Sequence, residues 1–113
     1  MAAVINLSLD QGASWVQTFI WQDVDEVPFD LSTHTARAQI RSMYADDDAG
    51  EPAASMVGET FDDGRVVLTL SAEETAVIPR GRYYYDVEVE SSGGFVTRLV
   101  RGRLTVVGEV TRG

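Results

Sequence analysis

A chain of 113 residues is a single domain by length, residues 1–113, and it is long enough to hide roughly two thirds of its unfolded surface. Its make-up is 44% hydrophobic and 24% charged, which excludes wholesale disorder, and 18 acidic against 9 basic residues leave a net charge of −9. That balance argues against a general nucleic-acid binder and against docking on anionic lipid, the lack of cysteine excludes disulfides and thiolate metal sites, and no apolar run reaches the ~18 residues of a membrane span.

The hydrophobic period is two throughout most of the chain. The opening Met1-Ala2-Ala3-Val4-Ile5-Asn6 lacks the charged region and long apolar stretch of a secretory signal. Ile5, Leu7 and Leu9 alternate with Asn6 and Ser8, and Asp10-Gln11-Gly12 turns the chain. Residues 14–22 form a second strand with Trp15, Val16, Phe19, Ile20 and Trp21, apolar on both faces and therefore expected to be covered on both sides. Asp23-Val24-Asp25-Glu26 is a turn, and Phe29 and Leu31 anchor the connection that follows. Ala36, Ala38 and Ile40 then alternate with Arg37, Gln39 and Arg41.

The polar stretch from residue 43 to 52 is an exposed loop, and a weak strand follows near residues 54–61. Asp62-Asp63-Gly64 predicts a type I′ hairpin, after which Val66, Leu68 and Leu70 share one face. Ser71-Ala72-Glu73-Glu74 has the form of a capping box, and Pro79 stops the helix after about two turns. Tyr83, Tyr85, Val87 and Val89 point inward, and Tyr84, Asp86, Glu88 and Glu90 point outward. Ser91-Ser92-Gly93-Gly94 makes a hairpin, and a long last strand puts Val96, Val100, Leu104 and Val106 in one phase, with Gly102 as the expected bulge or bend. The fold class is all-β: an immunoglobulin-like antiparallel β-sandwich of 7–8 strands with one short helical turn.

Few side chains suggest chemistry. His34 is the sole histidine and has no evident nucleophile or orienting partner. No nucleophile–base–orienter set is visible, so no enzyme and no cofactor are expected. Asp46, Asp48, Gly50 and Glu51 superficially resemble a calcium loop but lack its spacing. Tyr83, just after Pro79-Arg80-Gly81-Arg82, suits the tyrosine corner of sandwich domains. Asp86, Glu88 and Glu90 face a strand carrying Arg98, Arg101 and Arg103, so cross-strand charge pairs are expected. Arginine rows also form interfaces, because guanidinium groups pair bidentately with carboxylates of another subunit. The candidate interface is therefore Arg98, Arg101, Arg103, Tyr84, Asp86 and Glu88. Residues 1–60 hold ten acids and two arginines, and residues 61–113 eight acids and seven arginines, a polarity suited to head-to-tail packing.

Several segments together carry a family resemblance. They are Leu9-Asp10-Gln11-Gly12-Ala13 with the aromatic strand, Phe29-Asp30-Leu31-Ser32 leading into Thr35-Ala36-Arg37-Ala38-Gln39-Ile40-Arg41, and Leu70-Ser71-Ala72-Glu73-Glu74-Thr75 through Pro79-Arg80-Gly81-Arg82-Tyr83-Tyr84-Tyr85-Asp86. Val96-Thr97-Arg98-Leu99-Val100-Arg101-Gly102 and Val110-Thr111-Arg112 fit the same pattern. The chain resembles, over nearly its full length, the immunoglobulin-like domain at the start of phage baseplate upper proteins and related virion structural proteins of tailed bacteriophages. The resemblance implies a non-enzymatic assembly or accessory module of the tail or baseplate, located in the virion. It implies homo-oligomeric contacts and other phage structural proteins as partners, with no nucleic acid and no membrane. Baseplate upper proteins carry a further receptor-binding scaffold after this domain, whereas this sequence ends at Gly113. Capsid decoration and head–tail connection therefore stand as alternatives. A carbohydrate- or calcium-binding adhesion module, using Tyr84 or Trp21 beside the loop with Asp46 and Glu51, stands as a further one.

Overall fold

The computed structural model describes residues 3–42 and 52–108. Eight strands and one short helix follow in order: β1 (Ala3–Val4), β2 (Leu7–Asp10), β3 (Trp15–Ile20), β4 (Thr35–Ser42), β5 (Ala54–Thr60), β6 (Arg65–Leu70), α1 (Ala72–Ala76), β7 (Gly81–Glu90) and β8 (Val96–Val107). The hydrogen-bonded order is β1-β8-β7-β4-β5-β6-β3, with β2 also on β8. The path folds into two layers because β5 changes sheet. Its residues from Ala54 to Gly58 pair with β4, while Glu59 and Thr60 pair with β6. Gly58 sits at that crossing, where a Cβ would lie 3.0 Å from the Leu68 side chain and 3.1 Å from the Ala36 Cβ. The all-β sandwich with one helical turn is the observed architecture.

The core lies between the layers. Ala36, Ala38 and Ile40 of β4, Val87 and Val89 of β7, and Leu104 and Val106 of β8 face Phe19 of β3 and Val66, Leu68 and Leu70 of β6. Every one is buried. Their period-two spacing is what lets one strand contribute to the core and to the surface at once. A buried Leu or Val of this kind contributes about 1.5–3 kcal/mol through burial. Leu31, in the β3–β4 connection, is also fully buried, whereas Phe29 lies at the surface and stacks on Trp21 with ring centroids 4.6 Å apart.

Local chemistry sets the ends of the elements. Ser71 Oγ accepts the Glu74 N–H at 3.1 Å, and Glu74 Oε1 accepts the Ser71 N–H at 2.9 Å, the reciprocal capping box expected there. The buried Thr75 hydroxyl donates to the Ala13 carbonyl and accepts the Gly12 N–H, so α1 holds the β2–β3 turn. The Tyr83 hydroxyl donates to the Pro79 carbonyl, which ties the corner before β7 as a tyrosine corner does.

Several expectations are corrected. The hairpin at residues 61–65 is not type I′, since neither Asp62 nor Asp63 has a positive φ. Gly64 N–H bonds to Phe61 O and Phe61 N–H to Arg65 O, so three residues form the loop and Gly64 alone takes φ 83°. The hairpin at Ser91 has the same form, with Gly94 at φ 86°. The outer face of β3 is uncovered: Val16 is 62% and Ile20 60% exposed. The first strands run parallel to β8, while the remaining ladders are antiparallel.

The bulge of the last strand lies at Leu99, three residues before Gly102. Val87 pairs with Val100 and Glu88 with Arg98, which leaves Leu99 as the extra residue. Leu99 and Val100 are both buried, and the strand changes phase there, so Val96 turns outward. Gly102 has another cause: a Cβ at this position would overlap the Ile5 carbonyl oxygen and lie 2.8 Å from its carbon. Missing side-chain volume at 102 lets the N-terminal segment pack closely against the edge of β8 between β1 and β2, and the Tyr85 hydroxyl donates to that same Ile5 carbonyl at 2.5 Å.

Gly102→Ala therefore displaces the N-terminal segment and costs about 1–3 kcal/mol, and Tyr85→Phe costs about 1 kcal/mol. Chemical denaturation of the double variant should show less than the sum, because the added methyl group already pushes away the carbonyl that Tyr85 holds. Full additivity contradicts this latch.

Candidate contact face

The outer face of the β8–β7–β4 layer is built by register. Arg101 pairs with Asp86 and Asp86 with Gln39; Arg103 pairs with Tyr84 and Tyr84 with Arg41; Arg98 pairs with Glu88 and Glu88 with Arg37. Arg98 and Arg101 are three residues apart, an odd spacing that would place them on opposite faces of a regular strand. The Leu99 bulge returns both to the outer face.

The pairing differs from a simple β7–β8 ladder. Arg37 Nε lies 3.0 Å from Glu88 and its Nη1 2.9 Å from Glu90, so one β4 arginine bonds both carboxylates. Arg98 Nε lies 3.3 Å from Asp86. Arg41 donates to the Gln39 amide oxygen at 3.2 and 3.0 Å. Among the described residues, Arg101 and Arg103 have no ion-pair partner. The face thus leaves guanidinium groups unneutralised in a chain whose net charge is −9. Exposed ion pairs of this kind contribute about 0–1 kcal/mol, so the face is not what stabilises the fold.

A cavity of about 530 Å³ opens on this face, lined by Val4, Asn6, Tyr84, Asp86, Arg98, Arg101 and Arg103, with Tyr85 and Gly102 behind. Five of the six candidate interface residues are therefore together. Glu88 lines a separate small cavity with Arg37 and Gln39. Sequence reasoning missed Arg37, whose outward phase was visible while its neighbour strand was not. It also missed Val4 and Asn6, which form a wall because Asn6 Oδ1 accepts the Arg103 N–H at 3.1 Å. Tyr84 is 50% and Val4 64% exposed, and they lie on either side of the arginines of β8. A second cavity of about 580 Å³, between β3 and the β1–β8 edge, has Arg98 as its charged group.

Other candidates resolve more simply. His34 precedes β4, with its N–H on Leu31 O and its carbonyl accepting the Thr60 hydroxyl. Its buried Nδ1 has no hydrogen-bond partner among the described residues. The acidic segment with Asp46, Asp48 and Glu51 lies outside the described residues. Among the described residues no group of three or more ligating side chains is placed to hold a metal, and no helix is long and apolar enough to cross a membrane.

Burial pushes the Tyr85 phenol up to about 12, so its bond to Ile5 persists through alkaline pH. Partial burial also raises the Asp86 carboxyl above its ordinary value, although Arg98 pulls the other way. A folded-state carboxyl held above its unfolded value binds its proton more tightly when folded. Its contribution to stability is therefore greatest at low pH and falls as pH rises above about 3.9. Asp86→Asn should remove that loss: melting curves across the acid range will show the variant gaining on the parent as pH rises. A variant that loses ground toward neutrality would show that the Arg98 pair dominates.

No family model matches the chain, and no curated protein matches it. Among solved structures it is similar to CopC from Methylosinus trichosporium OB3b, at 20% identity and a TM-score of 0.40, covering 69% of this chain and 67% of that one. It is also similar to an uncharacterized protein from Bacillus anthracis str. Ames, at 8% identity and a TM-score of 0.47, covering 96% of this chain and 85% of that one. Both likenesses are distant, and neither bears on what this chain binds.

Proposed function

We propose that the chain is a non-enzymatic structural protein of a tailed-phage particle, an assembly or accessory module of the tail or baseplate acting through protein contacts. One observation carries the contact role: Arg101 and Arg103, without ion-pair partners among the described residues, line one cavity with an exposed tyrosine on the neighbouring strand. Arginine and tyrosine are the residue types enriched in protein interfaces, because each brings a large contact area and directional hydrogen bonds. The placement in a phage particle rests on the ordered sequence segments described above.

The ladder partners explain why such a face is rigid. Tyr84 and Asp86 lie on β7, which is hydrogen-bonded on both sides by β4 and β8. Its inward neighbours Tyr83, Tyr85 and Val87 are buried. Side chains on such a strand are positioned before a partner arrives, which lowers the ordering cost of binding.

Gradient sedimentation of particles from a culture carrying this gene tests the reading. The chain should sediment with intact particles at a fixed ratio, and Arg101→Ala/Arg103→Ala should reduce that ratio while leaving the melting temperature nearly unchanged. A wild-type chain that stays at the top of the gradient contradicts it.

A further inference from the structure

The described acids are unevenly placed in space, and one projecting element combines them with an exposed apolar side chain. The connection between β3 and β4 makes a hairpin, closed by the Gln22–Pro28 bridge and by Asp23 N–H to Val27 O at 2.9 Å. Asp23 Oδ1 accepts the N–H groups of Asp25 and Val27, which fixes the tip. Val24 at the tip is 99% exposed, between the carboxylates of Asp23, Asp25 and Glu26. The neighbouring hairpin adds Asp62 and Asp63: Gly64 O accepts the Trp21 N–H at 2.8 Å, so the two loops share one end of the molecule. Arg65 at that end is already bonded to Asp63 at 2.8 Å.

The cavity on the outer face has the opposite net charge. Arg98, Arg101 and Arg103 of β8 run through it, with Val4 on the β1 side and Tyr84 and Asp86 on the β7 side, so three guanidinium groups meet one carboxylate there. An exposed apolar side chain beside the carboxylates of Asp23, Asp25 and Glu26 complements in charge a hollow that holds three guanidinium groups beside Val4 and Tyr84. The tip cannot fill the cavity of its own molecule. It lies at the end where Thr35 meets Glu90, and Tyr84 is six residues farther along β7, about 20 Å away.

We propose that the arginine-lined cavity receives the Asp23-Val24-Asp25-Glu26 hairpin tip of a second copy of this chain, joining copies head to tail. This rests on the reading of the outer face as a contact surface and names its partner. The two surfaces are different, so the contact is heterologous and generates a ring or a filament. It should weaken with added salt, because the pairs lie at an exposed rim.

Charge exchange tests it. Arg101→Glu/Arg103→Glu and Asp25→Arg/Glu26→Arg alter exposed side chains only, and unchanged melting curves will show that both variants fold. In sedimentation velocity at low ionic strength the parent should self-associate with rising concentration. Each variant alone should require at least ~tenfold more protein to reach the same association. An equimolar mixture should recover it, because the basic tip of one variant fits the acidic cavity of the other. A parent that stays monomeric, variants that associate as the parent does, or a mixture that does not recover overturns the proposal. A monomeric chain that still sediments with particles sinks this contact and leaves the particle role. A self-associating chain that never joins particles does the reverse.

Discussion

One extra residue in β8 governs how this surface is made. A strand with an uninterrupted two-residue period cannot place Arg98 and Arg101 on the same face, because three is odd. The bulge at Leu99 absorbs one residue into the core, so Leu99 and Val100 are buried together and Arg98 rejoins the outer face with Arg101 and Arg103. Apolar burial drives this arrangement, since two large side chains leave water at the cost of one disrupted ladder step. The same shift sends Val96 outward and puts Glu88 opposite Arg98, while Arg37 of β4 takes the Glu88 and Glu90 carboxylates.

The N-terminal segment completes the face from the other side. β1 and β2 pair in parallel with β8, covering much of an edge that would otherwise expose unpaired backbone groups. Between them the chain packs against Gly102, held by Tyr85 through Ile5 O and by Asn6 through the Arg103 N–H. Pairing along this edge brings Val4 and Asn6 beside the arginines. Packing at a glycine thereby shapes the cavity, and the buried phenol links the core to the outer surface.

Much of the architecture was legible because period two is a strong local signal when one face is buried. The alternations at 36–41 and 83–90 identify their strands and their inward sides, and Ser71 with Glu74 identifies the helix start from side-chain chemistry alone. Tyr83 was legible for the same reason, since its corner partner is four residues away. What escaped depends on contacts distant in the chain. Nothing local in Leu99 distinguishes a bulge residue from a regular one, whereas Gly102 carries a visible cue that belongs to the close approach of the Ile5 carbonyl. The pairing of Arg37 required knowing that β4 lies beside β7. Val16 and Ile20 look like a covered face, yet both are exposed and no layer of the described residues covers them.

The surface that results is uneven in a useful way. Carboxylates at the 22–28 and 61–65 loops occupy one end, while guanidinium groups without partners among the described residues occupy the middle of the opposite sheet. A cysteine-free chain allows that relation to be tested by single introduced thiols. Val24→Cys and Tyr84→Cys, purified separately and mixed under mild oxidation, can join only between molecules. A mixed disulfide in clear excess over either same-variant product, and over a mixture of Val24→Cys with Val57→Cys, is the predicted result. Equal yields in those mixtures, or no mixed product, would contradict the assignment of this face as the seat of the neighbouring tip.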